Sequence, residues 1–186
     1  LGMEQVQRFA PSPALSQFVA SYEYRSVPIG GYLIRPVWAR PHVTLQIFLP
    51  HNGEAYEYES RRTWLLPRTL IVGAITHRIS DLALRGNHRI FIVVFRPGTF
   101  VRLFGVPASE LTDHGYAAFV VLGKRMAGMV EQLEGAGDVP AMIVTMEQFL
   151  LQQVSTAAPA EPVHVAASHL LRTHGAGRVA GLIRDS

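Results

Sequence analysis

Between residues 31 and 96 the apolar positions fall in short runs, which predict strands over 31–37, 43–49, 55–60, 69–75, 78–84 and 89–96. The runs are rich in β-branched and aromatic residues, which suit a pleated surface. Turn chemistry separates most of them: Pro41-His42, His51-Asn52-Gly53 and Gly86-Asn87. A spacing of roughly ten to twelve residues favours an antiparallel sandwich or barrel over alternating strand–helix units. The run Ile90-Phe91-Ile92-Val93-Val94-Phe95 is apolar on both faces and predicts a central, doubly covered strand. On 43–49, alternation puts Thr44, Gln46 and Phe48 on one face and Val43, Leu45, Ile47 and Leu49 on the other. The purely apolar face is expected to meet helices or a second sheet. The mixed face is the better wall for a lumen.

The pattern changes after residue 97. Met126, Met129, Val130 and Leu133 recur at helical spacing, and Gly135 and Gly137 stop that helix. Pro140 suits a helix start, with Met142, Met146, Phe149 and Leu150 on one face. Residues 155–162 are small, carry two prolines and lack periodicity, so they predict a linker and a domain boundary. Beyond it, Val163, Ala166, Ala167, Leu170 and Leu171 form one helical stripe, Gly175 and Gly177 interrupt it, and Val179, Leu182 and Ile183 begin another. Two short helices cannot bury their apolar faces alone, so further chain is expected after Ser186. No internal repeat occurs.

Composition narrows the class. Of 186 residues, 48% are hydrophobic and 17% charged, enough apolar material for a core. No apolar stretch approaches the ~18 residues of a membrane span, and no secretory leader is visible. Without cysteine there is no disulfide and no thiolate metal site. Together these features favour the cytoplasm. The net charge of +3 comes with scattered arginines (Arg61, Arg62, Arg78, Arg85, Arg89, Arg96, Arg102) rather than a dense basic cluster, so charge alone does not suggest DNA.

The search for chemistry finds no Gly-x-Ser-x-Gly, P-loop or dinucleotide fingerprint; Gly30-Gly31 and Gly175-x-Gly177 are too short. Glu57 and Glu59 alternate with Tyr56 and Tyr58, which reads as the solvated face of an edge strand rather than a catalytic pair. The best metal candidate is His42, His51 and Glu54, weighed against turn and rim histidines. His77 and His88 have no spaced partner, and His164, His169 and His174 are five apart, which does not stack on one helix face. Aromatic residues crowd the strand-rich half, with Arg35, His42, Thr44 and Gln46 nearby. A pocket for a small organic ligand is expected around Trp38, His42, Gln46 and Phe48, with Trp38 and Arg40 closing its rim. No catalytic residue, metal ligand or cofactor is assigned. Met126, Met129, Met142 and Met146 are expected to offer adaptable apolar surface to a second copy of the chain.

Two stretches go further. The run Phe95-Arg96-Pro97-Gly98, followed by Leu103-Phe104-Gly105-Val106-Pro107 and Glu110-Leu111-Thr112-Asp113, resembles the segment that closes the sensor barrel in one branch of AraC-family transcription regulators. The stretch from Ala166 through Gly175 and Arg178 to Ser186 resembles the opening of the AraC-type DNA-binding domain, with its two helix-turn-helix units. Residues 21–26 and 28–31 are similar to the N-terminal strands of that branch. Relatives often carry Pro-Asp-Gly where this chain has Pro41-His42-Val43. The resemblance implies an α+β protein: an antiparallel cupin-like barrel or sandwich at 3–97, a helical layer at 98–154, a linker at 155–162, and the start of a helix-turn-helix domain at 163–186. It implies a ligand-responsive, sequence-specific DNA-binding regulator, no enzyme, acting as a homodimer on double-stranded DNA in response to a small-molecule effector. The recognition helices are expected to lie after Ser186, and no DNA-binding residue is assigned. The alternative is a stand-alone cupin-like domain that binds a small molecule or works as a metal-dependent enzyme.

Overall fold

The computed structural model describes residues 4–27, 32–49, 53–85, 87–126 and 128–159, together with 166, 167, 169 and 170. Among them, six strands form one antiparallel sheet in the spatial order β1 (Gln5–Phe9), β2 (Val19–Val27), β9 (His88–Phe95), β4 (Thr44–Leu49), β7 (Thr69–Val72), β10 (Gly115–Ala117). Four more form a second sheet, ordered β3 (Tyr32–Pro36), β8 (Ser80–Arg85), β5 (Gly53–Glu57), β6 (Arg62–Leu65). No ladder joins the two sheets among the described residues, so the arrangement is a sandwich and not a closed barrel. The helices are α1 (Thr99–Phe104), α2 (Ala108–Leu111), α3 (Ala118–Leu122), α4 (Met129–Gly135) and α5 (Val139–Val154), with a 3-10 turn at Gly123–Met126. The expected α+β class is the one the chain adopts.

The six-stranded sheet is the middle layer, and side-chain alternation explains why. On β9, Ile90 and Ile92 join a core between the sheets, while Phe91, Val93 and Phe95 join a core beneath the helices. On β4, Leu45, Ile47 and Leu49 enter the helical core, and Phe48 enters the other. The two faces fall as expected, and β9 is central, between β2 and β4. A strand in that position needs apolar side chains on both sides, each worth ~1.5–3 kcal/mol when fully buried.

The run after β9 punctuates the chain through its glycines and prolines. Gly98 (φ 73°) precedes α1, Gly105 (φ 74°) ends it, and Pro107 stands immediately before α2. At Gly73 a Cβ would lie 1.8 Å from the Leu111 carbonyl oxygen, so only glycine lets α2 pack there. Asp138 caps α5 by accepting from the Ala141 amide at 2.8 Å, and Pro140 sits in its first turn. Glu147 on α5 accepts from the Ser12 amide (2.7 Å) and the Tyr22 hydroxyl (3.3 Å), tying the helix to β2 and the segment before it. Burial and then this carboxylate push the Tyr22 phenol well above its ordinary range.

Several expectations change. Strands β1, β6 and β10 were not predicted. Strand β5 is flanked by β8 and β6, so it is not an edge. Met126, Met129, Met142 and Met146 are all buried in the chain's own helical core and offer no free surface. Just after α5, the Ala158 amide donates to the Arg102 carbonyl of α1 and its carbonyl accepts from Arg102 Nε, both at 2.9 Å. Gly30-Gly31, His51, His164, His174, the two glycines 175 and 177 and the stripe Val179, Leu182 and Ile183 lie outside the described residues. No helix among the described residues is long and apolar enough to cross a membrane.

Candidate functional site: a cavity between the sheets

The inward faces of the two sheets do not meet everywhere. On β5 the inward positions are Gly53, Ala55 and Glu57. At Gly53 the interior is full, because a Cβ there would come within 2.7 Å of Leu66 Cδ1. At Ala55 and Glu57 the sheets part around a cavity of about 520 Å³, within the range of small-ligand sites. Its apolar wall includes Trp64, Leu66, Leu70, Val72, Ile90 and Ile92. Its polar groups are Arg25, Arg35, Arg40, Gln46, Glu57, Ser80 and His114.

Strand register places the polar groups. Glu23, Ile92, Gln46 and Leu70 are successive partners across β2, β9, β4 and β7, and Arg25, Ile90 and Phe48 form the neighbouring row. Both rows face the second sheet. Gln46 is buried, with its amide nitrogen donating to Thr44 Oγ1 at 3.1 Å. Glu23 is 7% exposed and takes Arg8 Nε on one oxygen (3.0 Å) and Arg25 on the other (2.6 and 3.1 Å). Glu4 takes Arg35 at 2.6 Å and Arg25 at 3.4 Å.

Arg40 differs from these. Its backbone is pinned by reciprocal 2.8 Å bonds with Ile75, and its side chain lines the cavity. Its Nε is buried and has no hydrogen-bond partner. Burial first, then repulsion from Arg25, lower its guanidinium to about 10 against the opposing pull of Glu23. It therefore remains charged at neutral pH.

Of the four expected ligand residues, Trp38 and Gln46 stand on the cavity wall. Trp38 is 64% exposed, beside Arg78, whose guanidinium carbon is 5.6 Å from the ring. Phe48 belongs to the packed core beside the cavity rather than to its wall. His42 is half-buried away from the wall, its Nδ1 enclosed without a partner. Burial lowers its pKa, a hydrogen bond with the Phe95 backbone opposes this, and Arg40 and Arg96 lower it further. Sequence reasoning missed Arg25 and Glu57. Alternation on 55–60 put Glu57 opposite Tyr56, but only the pairing of β5 with β8 and β6 reveals that Glu57's face looks inward. Among the described residues no three His, Asp or Glu side chains are grouped to hold a metal. Of the metal candidates His42, His51 and Glu54, His51 lies outside the described residues.

These features define a class: a two-sheet domain with a mixed polar and apolar cavity, backed by helices on the outer face of its larger sheet. The family described as "Domain of unknown function (DUF6597)" matches residues 7–117, more than half of the chain, and the chain belongs to that family. The matched segment runs from β1 to the end of β10 and so contains the cavity. No curated protein matches by sequence. Among solved structures, the chain is similar to ToxT from Vibrio cholerae at 9% identity and TM-score 0.37, covering 98% of this chain and 70% of that one. It is similar to the AraC-like transcriptional activator CuxR at 15% identity and TM-score 0.31, covering 97% and 75%. A cupin 2 domain-containing protein from Halorhodospira halophila matches at 15% identity and TM-score 0.32, over 50% of this chain and 63% of that one.

Proposed function

We propose that this chain is the effector-binding and dimerisation part of an AraC-like transcription regulator. The observation that carries this reading is the cavity between the sheets, which joins an apolar wall to polar side chains from both sheets. A second support is the run from Phe95 to Asp113, whose resemblance to AraC-family regulators is matched by its local structure of strand end, α1, glycine cap and α2. In this reading the domain at 3–154 senses a small molecule, Trp38 and Gln46 contact it, and α5 pairs two copies in the cytoplasm. The DNA contact belongs to the C-terminal part from residue 163 onward, joined by the linker at 155–162. No catalytic step, metal or cofactor is involved.

The test is a thermal-shift screen of small organic compounds on the 186-residue chain, followed by mobility shifts of the full-length regulator on its own promoter. A compound that raises the melting temperature should change DNA affinity and be recovered chemically unaltered. A stabilising compound that the protein converts to product would instead favour a cupin-like enzyme and overturn the regulator reading.

A further inference from the structure

The polar groups of the cavity are unevenly charged. Three arginines line it, Arg25, Arg35 and Arg40, against one carboxylate, Glu57. Nearby carboxylates do not redress this for Arg40. Glu23 already accepts from Arg8 and Arg25 on its two oxygens, and Glu4 accepts from Arg25 and Arg35. Arg40 Nε is thus left enclosed, charged and without an acceptor, at the wall of a cavity that mixes apolar side chains with other polar groups. Buried charges in folded proteins are paired or ligated, because an unsatisfied one forfeits its hydration and receives nothing in return. A guanidinium presents a planar fork of donors that matches a carboxylate.

We infer that the cavity takes an organic anion, its carboxylate received by Arg40 beside Arg25 and its apolar or aromatic body lying against Trp64, Leu70 and Ile92. This rests on the effector-binding reading above and names the chemical class of the effector. Neutral or cationic compounds of the same shape would leave Arg40 unpaired, and a cation would add a like charge to the arginines. Discrimination should therefore come from the head group and not from the body.

The experiment uses matched probes: naphthalene, indole and decyl compounds, each as carboxylate, primary amide and ammonium. Dissociation constants are measured by calorimetry on the wild-type chain, on Arg40→Met and on Arg40→Lys, with melting curves confirming that each variant folds. At least one body should bind tenfold or more tightly as carboxylate than as amide, with the ammonium weakest. Arg40→Met should erase the preference while leaving amide binding within a few-fold. Arg40→Lys should keep part of the preference, since it retains charge without the fork. If Arg40→Met does not fold, the Lys variant decides: a carboxylate preference undiminished by it overturns the role of Arg40. Equal binding of carboxylate and amide, or tighter binding of the ammonium, overturns the anion inference and leaves the pocket reading standing. Failure of every body in every form overturns both.

Discussion

A half-buried imidazole with one nitrogen enclosed and unpaired is poorly placed to take up a proton. His42 is in that position, and its pKa lies below the ordinary 6.5, chiefly through burial and then through Arg40 and Arg96 against the Phe95 backbone bond. Because the folded value is lower than the unfolded one, the unfolded chain takes up the proton first as pH falls. The His42 contribution to stability is therefore intact above pH 6.5 and is lost progressively as pH drops through the folded value. Urea denaturation at steps between pH 8 and pH 5 should show the wild type losing more stability across this window than His42→Asn. Parallel losses would mean that the ring is solvated when folded. The histidine itself was a candidate ligand in the sequence because it stands beside a turn and near aromatic residues. Its distance from the cavity wall depends on where 37–43 crosses from one sheet to the other, which local pattern does not encode.

Elements with two-sided or strongly periodic patterns were readable from sequence, and sparsely patterned ones were not. Strand β9 and helix α5 carry apolar residues at positions that only one kind of element can bury. Strand β1 (Gln5–Phe9) is an edge with four of five residues exposed, β6 pairs only with β5 in the smaller sheet, and β10 is three residues long. Each exists because a neighbour offers its ladder, which is a tertiary fact. The methionines show the same limit. Met129, Met142 and Met146 fall on α4 and α5 as their spacing suggested, whereas Met126 sits in the 3-10 turn before α4; spacing cannot say whether a buried face meets the chain's own sheet or a second copy. Helix α5 has a separate outward stripe. Val144 and Leu151, two turns apart, are 56% and 41% exposed on the side opposite Met142, Met146 and Leu150. That stripe is the proposed seam between copies. Sedimentation should give a dimer for the wild type and a monomer for Val144→Glu with Leu151→Glu, at unchanged melting behaviour of the monomer fold. A double variant that remains a dimer would place the seam elsewhere, and a monomeric wild type would remove it.

At the scale of the molecule, the middle sheet has two different neighbours, and its inward face is only partly filled. That face was legible on β4, where Thr44, Gln46 and Phe48 alternate with a purely apolar set. The boundary between packed core and cavity was not legible, because it depends on how far the second sheet stands off. Phe48 and Gln46 share a face of one strand, yet one is core and the other cavity wall. Two substitutions separate these environments. Phe48→Ala opens a void in a region that is already close-packed, and it should cost about 3–5 kcal/mol in denaturant unfolding. At a temperature where the variant is folded, its affinity for any ligand found by the screen should stay within a few-fold. Ala55→Leu projects three further carbons from β5 into existing space. It should cost less than about 1.5 kcal/mol, since overpacking is penalised only where there is no room, and it should abolish ligand binding by occupying the site. The reverse pattern, with Ala55→Leu severely destabilising and Phe48→Ala mild, would mean that the sheets close on one another at Ala55 and part at Phe48. Loss of binding in Ala55→Leu at near-native stability would locate the ligand between the sheets. The helical layer and α5, on the far side of the middle sheet, would then be free to serve as the surface between copies.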